Sequence, residues 1–125
     1  MRSGALGAMV LFVLTSAGIA CSPAKEPPAQ ESAAVSEGRR IYRADACPTC
    51  HAQDRTGTIN GPSLEGLRAR WREDDLIGFL RDPSAARCAD PRLRQLAARY
   101  KTSMPSPARI DEARMKSLAA YLLQD

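Results

Sequence analysis

Hydrophobic residues recur at helical intervals from about residue 35 onward, and the strict alternation of apolar and polar residues that is typical of strands is scarce. Two stripes with intervals of three and four residues carry this pattern: Leu93, Leu96, Ala97 and Tyr100, and then Met115, Leu118, Ala119 and Leu122. Together with acidic start signals, the pattern predicts helices over about 35–45, 74–80, 91–100 and 111–123. The predicted fold class is therefore all-α.

Turn-forming residues lie between the predicted helices. Residues 56–63 contain two glycines together with Asn60 and Pro62, so a loop is expected there. The pair Asp82-Pro83 is expected to end the helix before it, because a proline disfavours helical backbone at the preceding residue. Residues 102–107 contain two prolines and are predicted not to be helical throughout.

The beginning of the chain is typical of an export signal. Arg2 precedes an apolar run over residues 5–20, which is short for a membrane span of about 20 apolar residues. A signal peptide is therefore favoured over a permanent membrane helix. Cys21 follows at the place where a lipoprotein signal carries its acylated cysteine, and cleavage after Ala20 without a lipid is the alternative.

The composition changes again after this cysteine. Residues 22–37 are rich in Pro, Ala, Ser and Glu and contain almost no large apolar side chains. Such a segment buries too little surface to fold, so a disordered tether is expected. The chain is accordingly divided into a signal peptide (1–20), a lipid-attachment cysteine with its tether (21–37) and one folded domain (38–125).

The net charge narrows the range of partners. The 125 residues carry 18 basic and 14 acidic side chains, a formal charge of +4. A modest basic surplus favours acidic protein surfaces or anionic headgroups, although a solvated charged surface without a partner fits equally well. Nucleic acid is not expected as a partner, because basic and acidic residues are interleaved and no basic patch rich in aromatic residues occurs.

The strongest chemical signal is Cys47-Pro48-Thr49-Cys50-His51, in which Pro48 belongs to the turn. Two thiols at this spacing can reach both vinyl groups of one porphyrin, and the following histidine can coordinate the iron, so the motif predicts covalent haem attachment. A redox dithiol is disfavoured because it needs a βαβ context, and a zinc site because it needs a second Cys/His pair. His51 is the single histidine of the chain.

Several motifs together resemble those of the class I c-type cytochromes, from residue 38 to the end of the chain. In chain order they are Gly38 with Tyr42, the haem-attachment motif, Gly61-Pro62-Ser63-Leu64, Met104-Pro105, and Leu118 with Tyr121. The resemblance implies a small helical fold around one covalently attached haem c, with the last helix crossing the first beside Gly38. One departure is the segment 85–99, which is longer than in the smallest members of that family.

The resemblance also implies the ligands of the haem. Cys47 and Cys50 would carry it covalently, His51 would be the proximal iron ligand and Met104 the distal one, because a thioether binds haem iron well. Met115 lies on the apolar stripe of the last helix and is expected in the core instead.

Three further residues have expected roles, the first of them from the same resemblance. The carbonyl of Pro62 would accept a hydrogen bond from the other ring nitrogen of His51, with a plain turn proline as the alternative. Trp71 would either donate its indole N–H to a haem propionate or only pack at the start of its helix. Cys88 matches nothing in the family and is expected to be an inert buried thiol, unless a Cys21–Cys88 disulfide replaces the lipid.

A His/Met-ligated haem predicts a single-electron carrier rather than an enzyme, because both axial positions of the iron are occupied. The protein would be a monomer on the periplasmic side of a bacterial membrane. Its partners would be exported or membrane redox proteins, which it would bind through small, transient contacts. The alternatives are a haem-based sensor or peroxidase with a labile Met104, and a fixed electron-entry subunit of a larger oxidoreductase. Peroxidase chemistry is disfavoured because no second histidine is present as a distal acid–base group.

Overall fold

The computed structural model describes residues 31–107 and 109–124. In these residues it contains a short 3-10 helix, Leu67–Ala69, and six α-helices: α1 Ala33–Ala44, α2 Pro48–His51, α3 Glu73–Arg81, α4 Pro83–Ala89, α5 Pro91–Ala97 and α6 Glu112–Leu122. The described part has no strand beyond one isolated bridge between Thr58 and Gly61. The predicted all-α class is confirmed. None of the helices described combines the length and apolar character that crossing a membrane requires.

The helix starts follow from short polar side chains that cap free backbone N–H groups. Asp111 accepts a hydrogen bond from the Arg114 N–H at 2.9 Å and so caps α6, where an acidic residue and the apolar pattern predicted a helix start. Asp82 accepts from the Ala85 N–H at 2.9 Å and thereby begins α4. The pair Asp82-Pro83 ends α3, as expected, but it also starts a helix that the sequence patterns did not predict, because proline is well suited to a first helical position.

The first helix begins earlier than the expected domain boundary. α1 starts at Ala33, and Ser32 caps it by accepting from the Val35 N–H at 3.3 Å. Residues 33–37 belong to this helix, in which Val35 is buried. The composition assigned them to the tether, whereas the apolar pattern predicted a helix from about residue 35, two residues after its observed start. The composition of Ser, Ala and Glu suits a helix start as well as a tether, and the packing of Val35 decides between them. Cys21 and the signal segment lie outside the described residues.

The core forms where α1 crosses α6. A Cβ atom at Gly38 would lie 2.0 Å from the Ser117 carbonyl oxygen and 2.6 Å from the Tyr121 Cβ, so the two backbones approach more closely than any side chain permits. The predicted stripe of α6 is buried along its whole length: Met115, Leu118, Ala119 and Leu122. α3 closes the core with Leu76, Ile77 and Leu80. Each large apolar side chain so buried contributes about 1.5–3 kcal/mol to folding.

Candidate functional site

A short helical turn holds the two thiols and the imidazole together. α2 is only Pro48–His51, and the Cys47 carbonyl accepts from the N–H groups of Cys50 at 3.2 Å and His51 at 3.0 Å. Both thiols are half-buried, whereas the imidazole is only 6% exposed. The proline supplies a preset φ at the first helical position, so the local sequence itself favours this turn.

The ring of His51 is oriented by the loop that follows. Its Nδ1 lies 2.8 Å from the Pro62 carbonyl oxygen. Because a carbonyl only accepts, Nδ1 must carry the hydrogen, and the lone pair of Nε2 is left for a metal. A hydrogen bond of this kind also makes an imidazole a better ligand and holds its plane. Pro62 therefore lies where the family resemblance placed it.

The same loop donates hydrogen bonds to backbone carbonyls of the cysteine turn. Thr58 donates its hydroxyl to the Cys50 carbonyl at 2.7 Å, and the Gly57 N–H donates to the His51 carbonyl at 3.0 Å. A Cβ atom at Gly61 would lie 2.9 Å from the Cys50 carbonyl oxygen and 3.0 Å from its Cβ. Glycine is therefore required at position 61 for the loop to lie against the cysteine turn.

Backbone strain is concentrated directly after the histidine. Ala52 has φ 63° and ψ 162°, a region that is almost restricted to glycine and costs about 1–3 kcal/mol for other residues. Its carbonyl accepts from the Tyr42 hydroxyl at 2.6 Å, so α1 holds this strained residue in place. Burial, and secondarily the neighbouring Cys47, raises the pKa of the Tyr42 hydroxyl well above its ordinary value, so the group remains a hydrogen-bond donor.

An arginine that the sequence patterns did not single out ties the same region to the last helix. Arg55 donates from Nη1 to the carbonyls of Tyr121 at 3.1 Å and Gln124 at 2.8 Å, and its guanidinium lies 5.0 Å from the centre of the Tyr121 ring. The contact adds donors to carbonyl groups at the end of α6, where the regular helical hydrogen bonds stop; the Tyr121 carbonyl also accepts from the Gln124 N–H at 3.2 Å. No local signal in the sequence identifies this role, since the residues are 66 and 69 positions apart.

The thiol chemistry does not resemble that of a redox dithiol. Burial, together with the Asp45 carboxylate, raises the pKa of the Cys47 thiol to about 11. Reactive dithiols need the opposite, a cysteine whose pKa is lowered by positive charge or a helix N-terminus. In the described ranges, no three His, Cys, Asp or Glu side chains come together as a metal-binding group.

Met104 lies in the non-helical segment between α5 and α6, as predicted for its loop. It is half-buried and packs against the core cluster, whereas Met115 is 4% exposed and belongs to the core itself, which confirms the expectation for Met115. The hydroxyl of Ser106 points to the carbonyl oxygens of Arg81 at 2.7 Å and Leu80 at 3.2 Å. This contact holds residues 102–107, the methionine loop, against the end of α3. No pattern in the local sequence predicts it.

Trp71 is packed between two side chains. The centre of its ring lies 5.3 Å from that of the Phe79 ring. The guanidinium of Arg92, which belongs to α5, lies 5.3 Å from the centre of the Trp71 ring. The packing role is thus observed, and hydrogen bonding to a propionate stays a prediction. Of the flanking arginines, Arg68 donates to the Leu123 carbonyl at 3.1 Å and Arg70 to the Glu65 carbonyl at 2.6 Å.

The expectation for Cys88 was wrong. The side chain is exposed on α4 rather than buried, because α4 presents most of its surface to solvent. The sequence offered no basis for this exposure, since the helix itself was not predicted.

The residues fit a covalently bound haem. Half-buried apolar side chains pack on the core and leave part of their surface free to contact a large flat cofactor: Leu64, Trp71, Phe79, Met104 and Ile110. Two thiols and an imidazole nitrogen lie on one turn, and the loop between α5 and α6 carries the thioether of Met104. These are the groups that c-type haem uses. His51 is the only buried polar or charged residue in the described part of the chain, so the surroundings are apolar enough for a porphyrin.

Fold and site together define a small helical domain of the c-type haem class. A family model described as Cytochrome c matches residues 35–124. The chain therefore belongs to the cytochrome c family, and its cofactor is covalently bound haem c. Members of this family are in general haem-based electron carriers rather than enzymes. Comparisons with curated proteins and with solved structures found no match.

Proposed function

We propose that this protein is a monohaem class I cytochrome that passes single electrons between exported or membrane redox proteins. Cys47 and Cys50 would carry the haem, and His51 and Met104 would bind its iron. The observation that supports this best is the 2.8 Å contact between His51 Nδ1 and the Pro62 carbonyl. It leaves the imidazole of a C-x-x-C-H motif with a single free nitrogen for iron.

The protein residues have distinct tasks in this proposal. When bound, the haem supplies an iron that gains or loses one electron. Pro62 holds the imidazole plane, and Ser106 holds the methionine loop against α3, so neither ligand has to move when the charge on the iron changes. Bound together to the iron, His51 and Met104 would favour its reduced state, raise the reduction potential and leave no position for a substrate.

A pair of methionine substitutions tests the ligand assignment. Met104→Leu removes the sulfur with little change in volume, and Met115→Leu is the matched control at a buried position of α6. We expect wild type and Met115→Leu to be low-spin in both oxidation states, with a weak far-red band from sulfur on ferric iron and no response to CO. Met104→Leu should lose that band and bind CO.

Two outcomes would contradict the proposal. A wild-type spectrum that is high-spin or changes with CO would move the function to ligand sensing or peroxidase chemistry. Unchanged CO binding in Met104→Leu would show that another group occupies the sixth position. Purification with a stoichiometric partner, instead of as a monomer with transient contacts, would favour a fixed subunit of a larger oxidoreductase.

We further propose that the protein is exported and held on the periplasmic side of a bacterial membrane by a lipid on Cys21. The apolar run before this cysteine and the polar segment after it support the proposal. Cys21→Ser should move the protein from the membrane fraction to the soluble fraction, whereas the Cys88→Ser variant should stay in the membrane fraction. Retention of Cys21→Ser in the membrane would refute the lipid, and altered mobility of both variants on non-reducing gels would indicate a Cys21–Cys88 disulfide.

A further inference from the structure

The basic surplus of the domain is concentrated in one segment, residues 83–101, which comprises α4, α5 and the residues after α5. This α4–α5 segment has a single carboxylate, Asp90, and five basic residues: Arg87, Arg92, Arg94, Arg99 and Lys101. The other described residues contain eleven basic and eleven acidic side chains. The segment therefore carries the whole excess of positive charge in the described part of the chain.

An ion pair neutralises only one of these five basic residues in the described part of the chain. Arg39 pairs with Glu31 at 2.7 Å and Arg40 with Glu37 at 2.7 Å, whereas in the α4–α5 segment only Arg92 has a carboxylate within 4.0 Å among the residues described. Arg87 donates to the Ser84 hydroxyl at 3.2 Å and Arg94 to the Cys88 carbonyl. A guanidinium has five N–H donors, so both arginines retain donors for another molecule.

These two arginines border a groove. The groove has a volume of about 480 Å³ and lies between α4 and α5, lined by Ser84, Arg87, Cys88, Arg94, Ala97 and Ala98. Small side chains therefore line it beside the two guanidinium groups. The groove is shallow and open to solvent, so a carboxylate on the surface of another protein can reach both arginines. A guanidinium can bind a carboxylate through two parallel hydrogen bonds.

The segment contributes little to the core. Of α4 only Pro83 is buried, and of α5 only Leu93. α4 contacts α3 and α5, and the exposed faces of both helices are not needed to cover the main core between α1 and α6. The charged face is therefore available to a partner without disturbing the fold.

We infer that the α4–α5 groove docks a carboxylate-rich segment on the surface of a partner protein. The inference rests on the proposed function, because an electron carrier must meet other proteins, and it names the chemistry of one such contact. An anionic membrane fits less well, since surface binding to lipid usually adds large apolar side chains to basic ones. In the described residues the only exposed large apolar side chain is Ile59, which lies in the loop beside Cys50.

The test measures binding of a fluorescein-labelled peptide of ten glutamates to the haem-loaded protein by anisotropy at low ionic strength. Arg87→Gln with Arg94→Gln removes the two groove charges. Arg40→Gln with Arg114→Gln is the matched control, because it changes the net charge equally at residues that lie beside Glu37. We expect the groove variant to bind at least about fivefold more weakly, the control to change less than about twofold, and added salt to weaken binding in all proteins.

A conservative variant and a lipid arm sharpen the result. Arg87→Lys with Arg94→Lys keeps the charge but cannot form bidentate hydrogen bonds to a carboxylate. The affinity of this variant for the peptide should lie between those of wild type and the glutamine variant. Equal weakening in the groove variant and the control would mean that net charge alone binds the peptide, and would overturn the inference. Stronger binding to vesicles of phosphatidylglycerol and phosphatidylcholine than to the peptide, lost in the groove variant, would overturn the choice of a protein partner.

The assay involves no electron transfer and no change of iron ligand. Failure of the peptide to bind would remove the docking inference while the spectra still support an electron carrier. Wild-type spectra without the signs of Met104 ligation would refute the proposed function, and peptide binding could still be measured.

Discussion

The close crossing of α1 and α6 makes a specific prediction for Gly38→Ala. A Cβ at this position would lie 2.0 Å from the Ser117 carbonyl oxygen and 2.7 Å from its carbonyl carbon. Both atoms belong to the backbone of a helix and cannot rotate away. To reach ordinary contact at 3.4 Å, the helices must separate locally by roughly 1.4 Å.

The size of the effect follows from two opposing contributions. Alanine in a helix interior is favoured over glycine by about 0.5–1 kcal/mol. Overpacking costs typically about 1–3 kcal/mol, and a gap of even 0.5–1 Å loses a quarter to a half of the dispersion attraction between the atoms it separates. The gap would affect Ile41, Tyr42, Leu118 and Ala119, which are at most 1% exposed, so the upper end of that range applies. We expect a net destabilisation of about 2 kcal/mol.

Urea unfolding of the haem-loaded protein, followed by far-UV circular dichroism, measures this difference from the shift in midpoint at constant slope. Gly78→Ala is the matched control, because a Cβ at Gly78 in α3 meets nothing within 4 Å. The control should gain about 0.5–1 kcal/mol from helix propensity alone. A Gly38→Ala midpoint equal to or above that of wild type would refute the argument that backbone contact requires glycine here.

Three further predictions concern the segments that hold the proposed ligands. Ala52→Gly should stabilise the folded protein by about 1 kcal/mol in the same urea assay, because glycine adopts this backbone conformation without strain, and a loss of stability would contradict it. Tyr42→Phe should cost about 0.5–1.5 kcal/mol near neutral pH, since it removes the hydrogen bond to the Ala52 carbonyl. The pKa of Tyr42 is higher in the folded state than in the unfolded one, so this contribution is complete below about pH 10 and is lost as the pH rises further. Wild type should therefore lose more stability than Tyr42→Phe between neutral pH and pH 11, and parallel pH profiles would contradict the assignment. Ser106→Ala should free the methionine loop and lower about fivefold the concentration of added imidazole at which half of the ferric haem loses its far-red band, which corresponds to the loss of about 1 kcal/mol, whereas an unchanged concentration would show that Ser106 does not hold Met104.

Features encoded by short spacings were predictable. The apolar stripe of α6 and its Asp111 cap follow from intervals of one to four residues, and they appear in the structure as expected. The C-x-x-C-H motif also acts within one helical turn, so its chemistry can be inferred without a fold. The same is true of the loop character of residues 102–107, where two prolines remove backbone donors.

Features that depend on distant partners were not predictable in the same way. The exposure of Cys88 is decided by the position of α4 on the surface. Ser106 acquires its role from carbonyls 25 and 26 residues earlier in the chain, and Arg55 from those at the end of α6. A single sequence records the side chains but not which of them meet.

The sequence by itself determined that the chain forms helices and that two cysteines and a histidine lie on one turn suited to haem, because both properties arise from contacts within a few residues. The tertiary structure decided how that turn is held. The hydrogen bond from His51 to Pro62 spans 11 residues, and the Tyr42 hydroxyl reaches Ala52 from a different helix. The packing of α1 against α6 also fixes the position of Tyr42, which is 1% exposed and whose ring lies 5.5 Å from that of Tyr121.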